Sequence, residues 1–252
     1  MRRLLPILLA LSACEKFNDE CRTEASELVG ESYRSLDLRT LTLRTKEAPA
    51  GNLLADALLS EVVGADLALV PAGLFSRKTE CGLRDFVDRG RLDRADIEAM
   101  LPTTDTVVLL SITSEDLKRV LEHAISQLGT SLPESENFLQ VAGVLFTADC
   151  AEAAQTLTED GKAILFPGAR IQPASIFVKG AVAGPGQTFK LATMASLTVS
   201  EAGFVDLAQP GRLLVDTRKT PRDLLIDYLR KRSPVDPKQE ARIALRESCG
   251  VR

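Results

Sequence analysis

Gly51-Asn52-Leu53-Leu54-Ala55-Asp56-Ala57-Leu58-Leu59 decides how the rest of this sequence is read. Its apolar residues recur at helical spacing, so it predicts a helix that ends near Gly64. Directly behind it, Ala65-Asp66-Leu67-Ala68-Leu69-Val70 is a short, nearly continuous apolar run, which predicts a buried strand. That strand stops at Pro71, whose missing N–H cannot serve a central ladder.

Outward from this pair, Ala72 to Gly90 is polar, contains Gly73 and Gly82, and with its flank carries Arg77, Lys78, Arg84, Arg89 and Arg91, a basic loop. Asp93 to Met100 predicts a short helix, and Thr106 to Leu110 a strand. Thr113-x-x-Asp116 reads as a capping box with Asp in place of Glu, opening a helix whose Leu117, Val120, Leu121, Ala124, Ile125 and Leu128 form one apolar stripe. Downstream, Phe138 to Phe146, Ala163 to Phe166, Arg170 to Lys179 and Thr188 to Thr193 favour strands, with Asp149 to Gly161 a surface excursion. Thr220-Pro221, followed by Leu224, Leu225, Tyr228 and Leu229, signals a last amphipathic helix. No repeat or linker divides the chain, so one α+β domain over residues 35–252, with mixed sheets and packed helices, is expected.

The amino-terminal end has a different character. Arg2 and Arg3, the apolar Leu4 to Leu11, and Leu11-Ser12-Ala13-Cys14 predict an export signal over residues 1–13, too short to span a bilayer. Leu-Ser-Ala-Cys also resembles the bacterial lipobox, which implies a lipid on Cys14, a tether over residues 14–34 and a place in the cell envelope; the alternative is plain secretion with cleavage near Ala13. Residues 15–31 then serve as that tether or pack late against the body. The chain has five Cys, and setting Cys14 aside leaves Cys21, Cys81, Cys150 and Cys249 as disulfide candidates in three connectivities. A Cys21–Cys249 bridge would constrain the unfolded chain most, being nearly end to end.

With 45% hydrophobic and 26% charged residues the chain is an ordinary globular one. A net charge of -4, nine Phe, two Tyr and no Trp supply neither a basic field nor many stacking rings, so nucleic acid is excluded as a partner. The single His and three Asn are too few for a two-metal phosphoesterase centre, which needs about four to six ligands per ion. His123 falls on the flank of the stripe helix, hydrogen-bonded or facing solvent. No nucleophile elbow, phosphate loop or zinc spacing is present, and Asp93/Asp96 and Glu115/Asp116 sit where helix starts favour negative charge. No catalytic residue, metal site or cofactor is therefore expected.

Taken in order, several segments resemble the C-terminal domain of the 5'-nucleotidases. Glu47 followed by Gly51-Asn52-Leu53-Leu54-Ala55-Asp56-Ala57 is similar to that family's Glu and Leu-Gly-Asn-Leu-(Leu/Ile/Val)-Ala-Asp-Ala; Ala65 to Leu69 matches its next strand. Gly90 to Ile97 is loosely similar to its Gly-x-(Ile/Leu)-Thr-x-x-Asp segment, and Leu101-Pro102 through Leu121-Glu122-His123-Ala124 to its Leu-Pro-Phe to Leu-Glu-His run. Phe138-Leu139-Gln140-Val141-Ala142-Gly143-Val144 resembles Phe-Leu-Gln-Val-Ser-Gly-Leu, and Phe189 to Thr193 its Tyr-x-(Val/Met)-Ala-Thr. The series runs from Leu36 to Ile243.

The resemblance implies a domain that supplies most of a nucleotide pocket, while a separate metallophosphoesterase domain holds the metals and hydrolyses the ester. That second domain has no counterpart in the resemblance. The pocket loop Asn-Gly-Gly-x-Arg corresponds to Pro71 to Arg77, without the Asn and with Arg77 one place late. The stacking Phe corresponds to Ser196, and Gly-Gly-Asp-Gly-Tyr to Ser200-Glu201-Ala202-Gly203-Phe204. Losing a stacking ring weakens base recognition by about 1–3 kcal/mol. Gly73, Arg77 and Phe204 remain the candidate ligand-binding residues, the bland reading of Arg77 being a solvated basic loop. Three expectations follow from the resemblance: a non-catalytic lipid-anchored module that binds a nucleotide-like ligand or a partner, the binding half of a nucleotidase split from a separate metallophosphoesterase subunit, or a structural envelope protein.

Overall fold

The structure is a computed structural model and describes residues 26–79, 82–199 and 202–250. Cys14, Cys21 and Cys81, with the Ser200-Glu201 pair, lie outside the described residues. The chain runs β1 (Leu28–Ser32), α1 (Thr40–Thr45), α2 (Pro49–Glu61), β2 (Leu67–Pro71), β3 (Gly90–Asp93), α3 (Arg94–Met100), β4 (Val107–Thr113), α4 (Ser114–Ala124) and β5 (Leu139–Ala142). It continues through β6 (Val144–Ala148), β7 (Thr156–Leu157), β8 (Ile164–Phe166), β9 (Phe177–Val178), β10 (Ala181–Val182), β11 (Thr188–Met194), β12 (Leu213–Asp216), α5 (Pro221–Arg232) and β13 (Ile243–Leu245). Helices and mixed sheets build an α+β fold around one continuous apolar core.

The central sheet has the order β12-β4-β11-β2-β5, in which only β11 and β2 are parallel. β4 pairs with β11 along its whole length, from Thr113↔Thr188 to Val107↔Met194. Its first four residues are all buried, which is why the sequence there is a run of Val and Leu rather than an alternation. α2 carries Pro at its first turn and is buried nearly all round, because it packs on β2 and β5 on one side and α5 on the other. The predicted capping box forms: Thr113 Oγ1 accepts from the Asp116 N–H at 3.2 Å, and Asp116 Oδ2 accepts from the Thr113 N–H at 2.9 Å. Thr220 and Asp223 repeat the arrangement at α5, and Asp93 and Asp96 at α3.

Some expectations need correction. Phe138 to Phe146 is two strands, not one: Gly143, at φ +72°, turns the chain so that β5 joins the central sheet and β6 a second sheet of order β10-β9-β6-β13. Arg170 to Lys179 is strand only at Phe177–Val178, since Pro173 opens a 3-10 turn before it. The folded body starts ahead of Ser35, because Leu28–Ser32 pairs antiparallel with β3. The part of the basic loop beyond Arg77 is not irregular throughout but includes β3 and two-residue ribbons. Cys249 is bridged to Cys150, which rules out the end-to-end Cys21–Cys249 pairing. No helix among the described residues is long and apolar enough to cross a membrane.

Candidate ligand site at the carboxyl end of the central sheet

β2 and β11 run parallel, so the segments that follow them emerge at the same end of the sheet: a 3-10 turn at Ala72–Leu74 and another at Ala195–Thr198. β4 runs the other way, and α4 returns beside it, which brings His123 in the last turn of α4 back to this end. The approach to β5 arrives here as well, fixed by the Ala72 N–H donating to Phe138 O at 2.8 Å and the Gly73 N–H to Glu136 O at 2.9 Å. Such carboxyl ends are common ligand sites in open sheets.

Gly73 is pressed against this approach. A β-carbon built on it would lie 2.9 Å from Glu136 Cβ, so the glycine permits close passage of two backbones and leaves no free space above it. Arg44 holds Glu136 in place through a 3.0 Å ion pair.

Phe204 lies at the same end and is only 1% exposed. The His123 ring meets it edge to face, with centroids 4.7 Å apart and planes at 81°. His123 Nε2 accepts from Asn137 Nδ2 at 3.2 Å, which puts the ring proton on Nδ1 and leaves the imidazole neutral. Burial pushes its pKa down to about 4. Gly203, at φ +76°, crosses this ring so closely that a β-carbon there would stand 2.9 Å from His123 Nε2 and 3.3 Å from Leu157 Cδ1. His123 is thus hydrogen-bonded, as expected for a flank position, and largely enclosed.

Arg77 turns away from this group. It ion-pairs with Asp85, and its Nε–H is buried without a partner among the described residues. Beside it is a void of about 10 Å³, room for roughly one water, bounded by Arg84, Asp96 and Met100. Arg84 is itself paired with Asp96 at 2.7 Å. The structure therefore brings Gly73 and Phe204 to one sheet end through Glu136, Asn137 and His123, and places Arg77 against α3. Both nearby guanidiniums are already neutralised, so neither offers an uncommitted charge to a phosphate.

Residues 47–56, around the start of α2, have a different role. Glu47, 5% exposed, accepts from Asn52 Nδ2 and the Glu240 N–H at 2.6 Å each and from the Arg242 N–H at 2.8 Å. Arg242 forks onto Asp56 at 2.7 and 2.9 Å, donates to Val141 O at 2.9 Å, and reaches Glu240. Burial raises the Asp56 pKa even with the guanidinium beside it. Glu47, Asn52 and Asp56 clamp the C-terminal segment 238–242, and all five N–H groups of Arg242 are spent doing so. Sequence reasoning missed both this clamp and the His123–Asn137–Gly203 cluster. The available signals were Gly203 just before an aromatic and Asn137 at the head of Phe138-Leu139-Gln140.

Among the described residues, no group of three or more His, Cys, Asp or Glu converges in a way that could hold a metal ion.

Residues 26–208 match the family model described as 5'-nucleotidase, C-terminal domain. A 5'-nucleotidase-related protein of Glossina morsitans morsitans is 25% identical over 251 residues, 95% of this chain and 41% of that protein. The trifunctional nucleotide phosphoesterase of Bacillus subtilis is 28% identical over 136 residues, 53% of this chain and 8% of that protein. The crystal structure of a 5'-nucleotidase precursor from Thermus thermophilus superposes with a TM-score of 0.73 at 22% identity, over 88% of this chain and 40% of that one. The chain thus spans well under half the length of the proteins it matches.

Proposed function

This chain belongs to the 5'-nucleotidase C-terminal domain family, and from that premise we propose that it is a lipid-anchored binding module of the bacterial envelope, not catalytic on its own. The site at the sheet end would take a nucleoside-like ring rather than a phosphate. One observation carries the non-catalytic half of this reading: the chain's single histidine is enclosed by Phe204, Asn137 and Gly203 and held neutral, and no group of His, Cys, Asp or Glu that could hold a metal occurs among the described residues. The ligand half is supported by the family and by an aromatic ring, Phe204, at the sheet end where the two parallel strands finish. Purified chain with Mn²⁺ or Zn²⁺ should release no phosphate from AMP, UMP or nucleotide sugars, and robust turnover would sink the reading. Cys14→Ser should move the protein from the membrane to the soluble fraction; unchanged membrane association would remove the anchor.

A second reading is favoured by the relative that aligns with 95% of this chain, which leaves 59% of its own length unmatched. In that reading a separate metallophosphoesterase subunit completes the enzyme. Co-purification with such a subunit, and nucleotide hydrolysis by the pair but by neither part alone, would establish it.

A further inference from the structure

The excursion between β6 and β9 folds back as a hairpin whose stem and tip are held very differently. At the stem, the Asp149 N–H donates to Arg170 O and the Ala169 N–H to Ala153 O, both at 2.9 Å, and Cys150 is bridged to Cys249. Arg170 Nη1 locks the same stem to the end of α4 by donating to the carbonyls of Ile125, Ser126 and Leu128 at 2.8, 3.1 and 3.0 Å. Among the described residues the hydrogen bonds of the tip stay within it: the β7–β8 ladder, Thr158 N–H to Ala163 O at 2.9 Å, and the Thr158 hydroxyl to Asp160 at 2.7 Å.

The underside of the tip covers the sheet end. Leu157 Cδ1 and His123 Nε2 lie 3.3 and 2.9 Å from one and the same point, the β-carbon position of Gly203, so the tip and the imidazole meet at that glycine. Just beyond the last stem bond, toward the tip, two buried acceptors have no donor among the described residues: Glu122 Oε2, on a residue 0% exposed, and Gln155 Oε1, on a residue 5% exposed. Glu122 Oε1 is satisfied by Lys118 at 3.0 Å and the Ile171 N–H at 2.8 Å, while Oε2 faces the Gly168 backbone, 2.5 Å from where a β-carbon would stand. Buried acceptors without donors disfavour the closed arrangement, and entry of water would satisfy them. Segments with few buried contacts and self-contained hydrogen bonds open at low cost.

We infer that the β7–β8 hairpin is a hinged flap, fixed at its disulfide-bridged stem, that covers the His123–Phe204 end of the sheet and lifts to admit a planar ring. The inference rests on the ligand reading given under the proposed function for what enters, but not for the motion itself.

The single His makes the test specific, because carbethoxylation by diethyl pyrocarbonate reports His123 alone. Labelling of the full chain should proceed in native buffer at a rate unchanged by low urea, since only the flap opens. Replacing residues 156–166 by Gly-Gly should speed it at least tenfold, and Gln155→Met, which removes one orphan acceptor, should slow it. Equal rates in wild type and the shortened chain, or wild-type labelling that rises with urea as global unfolding does, would overturn the flap. If the shortened chain does not fold, the urea dependence of wild type still decides. In a second arm, adenosine measured by calorimetry should bind the shortened chain at least tenfold more tightly than wild type. No binding to either, with local labelling intact, removes the ligand reading and leaves the flap standing.

Discussion

The side chain of Gln140 lies where a β-carbon on residue 51 would stand: built on the Gly51 backbone, that atom would be 2.2 Å from Gln140 Cγ and 2.5 Å from Cδ. Gln140 cannot retreat, because it is fully buried and bonded to three backbone groups. Its Oε1 accepts from the Ala48 N–H at 2.9 Å, and its Nε2 donates to the carbonyls of Leu43 and Lys46 at 2.8 Å. Two segments 89 residues apart, Gly51-Asn52 and Phe138-Leu139-Gln140, are therefore one packing unit joining α2 to β5.

Gly51→Ala should consequently destabilise the protein, although the same change inside an ordinary helix stabilises by about 0.5–1 kcal/mol. Overpacking and the displaced buried bonds together should cost about 2–4 kcal/mol. Urea unfolding followed by far-UV circular dichroism measures it. A stabilised variant would show that Gln140 does not sit on the glycine.

Arg242→Ala should release the 238–242 segment. It leaves Asp56 without its fork and removes the bond that Arg242 gives to Val141 O, but Asp56 is partly exposed, so the cost is about 2 kcal/mol rather than the 3–5 kcal/mol of a fully buried pair. The pH dependence has a definite sign. A carboxyl whose folded pKa is raised favours folding below its unfolded pKa and loses that contribution as pH rises through the folded value; removing Arg242 raises it further. The loss should therefore be larger at pH 7 than at pH 4, measured as the change in unfolding free energy at each.

The parts of this fold that could be read from the sequence are those where local chemistry and tertiary role agree. Thr113-x-x-Asp116 and Thr220-Pro221 announce α4 and α5 because a cap is a contact between near neighbours. The run Val107 to Leu110 announces a strand buried on both faces. Gly143 could not be read as the point where one strand becomes two, since which sheet each half joins depends on residues far along the chain. Of the three candidates the resemblance implies, Gly73 and Phe204 lie at the carboxyl end of the central sheet. Arg77 is not with them because Asp85, eight residues on, takes its charge, a pairing no spacing rule supplies. The clamp escaped for a like reason: Glu47, Asn52 and Asp56 share one side of the chain, but their partner comes from Arg242.

Removing the Cys150–Cys249 bridge, as Cys150→Ser with Cys249→Ser, opens a loop of sequence separation 99. Chain-entropy reasoning puts the loss at about 2–5 kcal/mol, because the bridge restricts the unfolded chain more than it strengthens the folded one. The double variant should unfold at lower urea with an increased m-value, its denatured state being less compact. An unchanged midpoint would mean that the tail is held as well by Arg246 and Ser248, which both bond Asp149.

His123 sets the behaviour of the protein in mild acid. Its folded pKa is lowered by burial to about 4 from an unfolded value near 6.5, so between these values the unfolded chain binds more protons than the folded one. The stability this neutral ring contributes is complete above pH 6.5 and is lost as pH falls toward 4. The difference corresponds to about 3 kcal/mol. Protonation would also end the bond from Asn137, since Nε2 could no longer accept. Asp66, Asp116 and Asp223 have lowered values and lose their contributions only as pH falls through the carboxylate range, below most of this window. Unfolding free energy measured by urea at pH 7.5, 6.0 and 5.0 should fall in wild type, with about 2 kcal/mol of the change coming from His123. In His123→Phe, which keeps a ring beside Phe204 and cannot titrate, the fall should be smaller by this amount whatever the absolute level, because Asp56 and the lowered carboxylates titrate alike in both proteins. An equal slope in both proteins would place the proton uptake elsewhere and show that His123 is open to solvent.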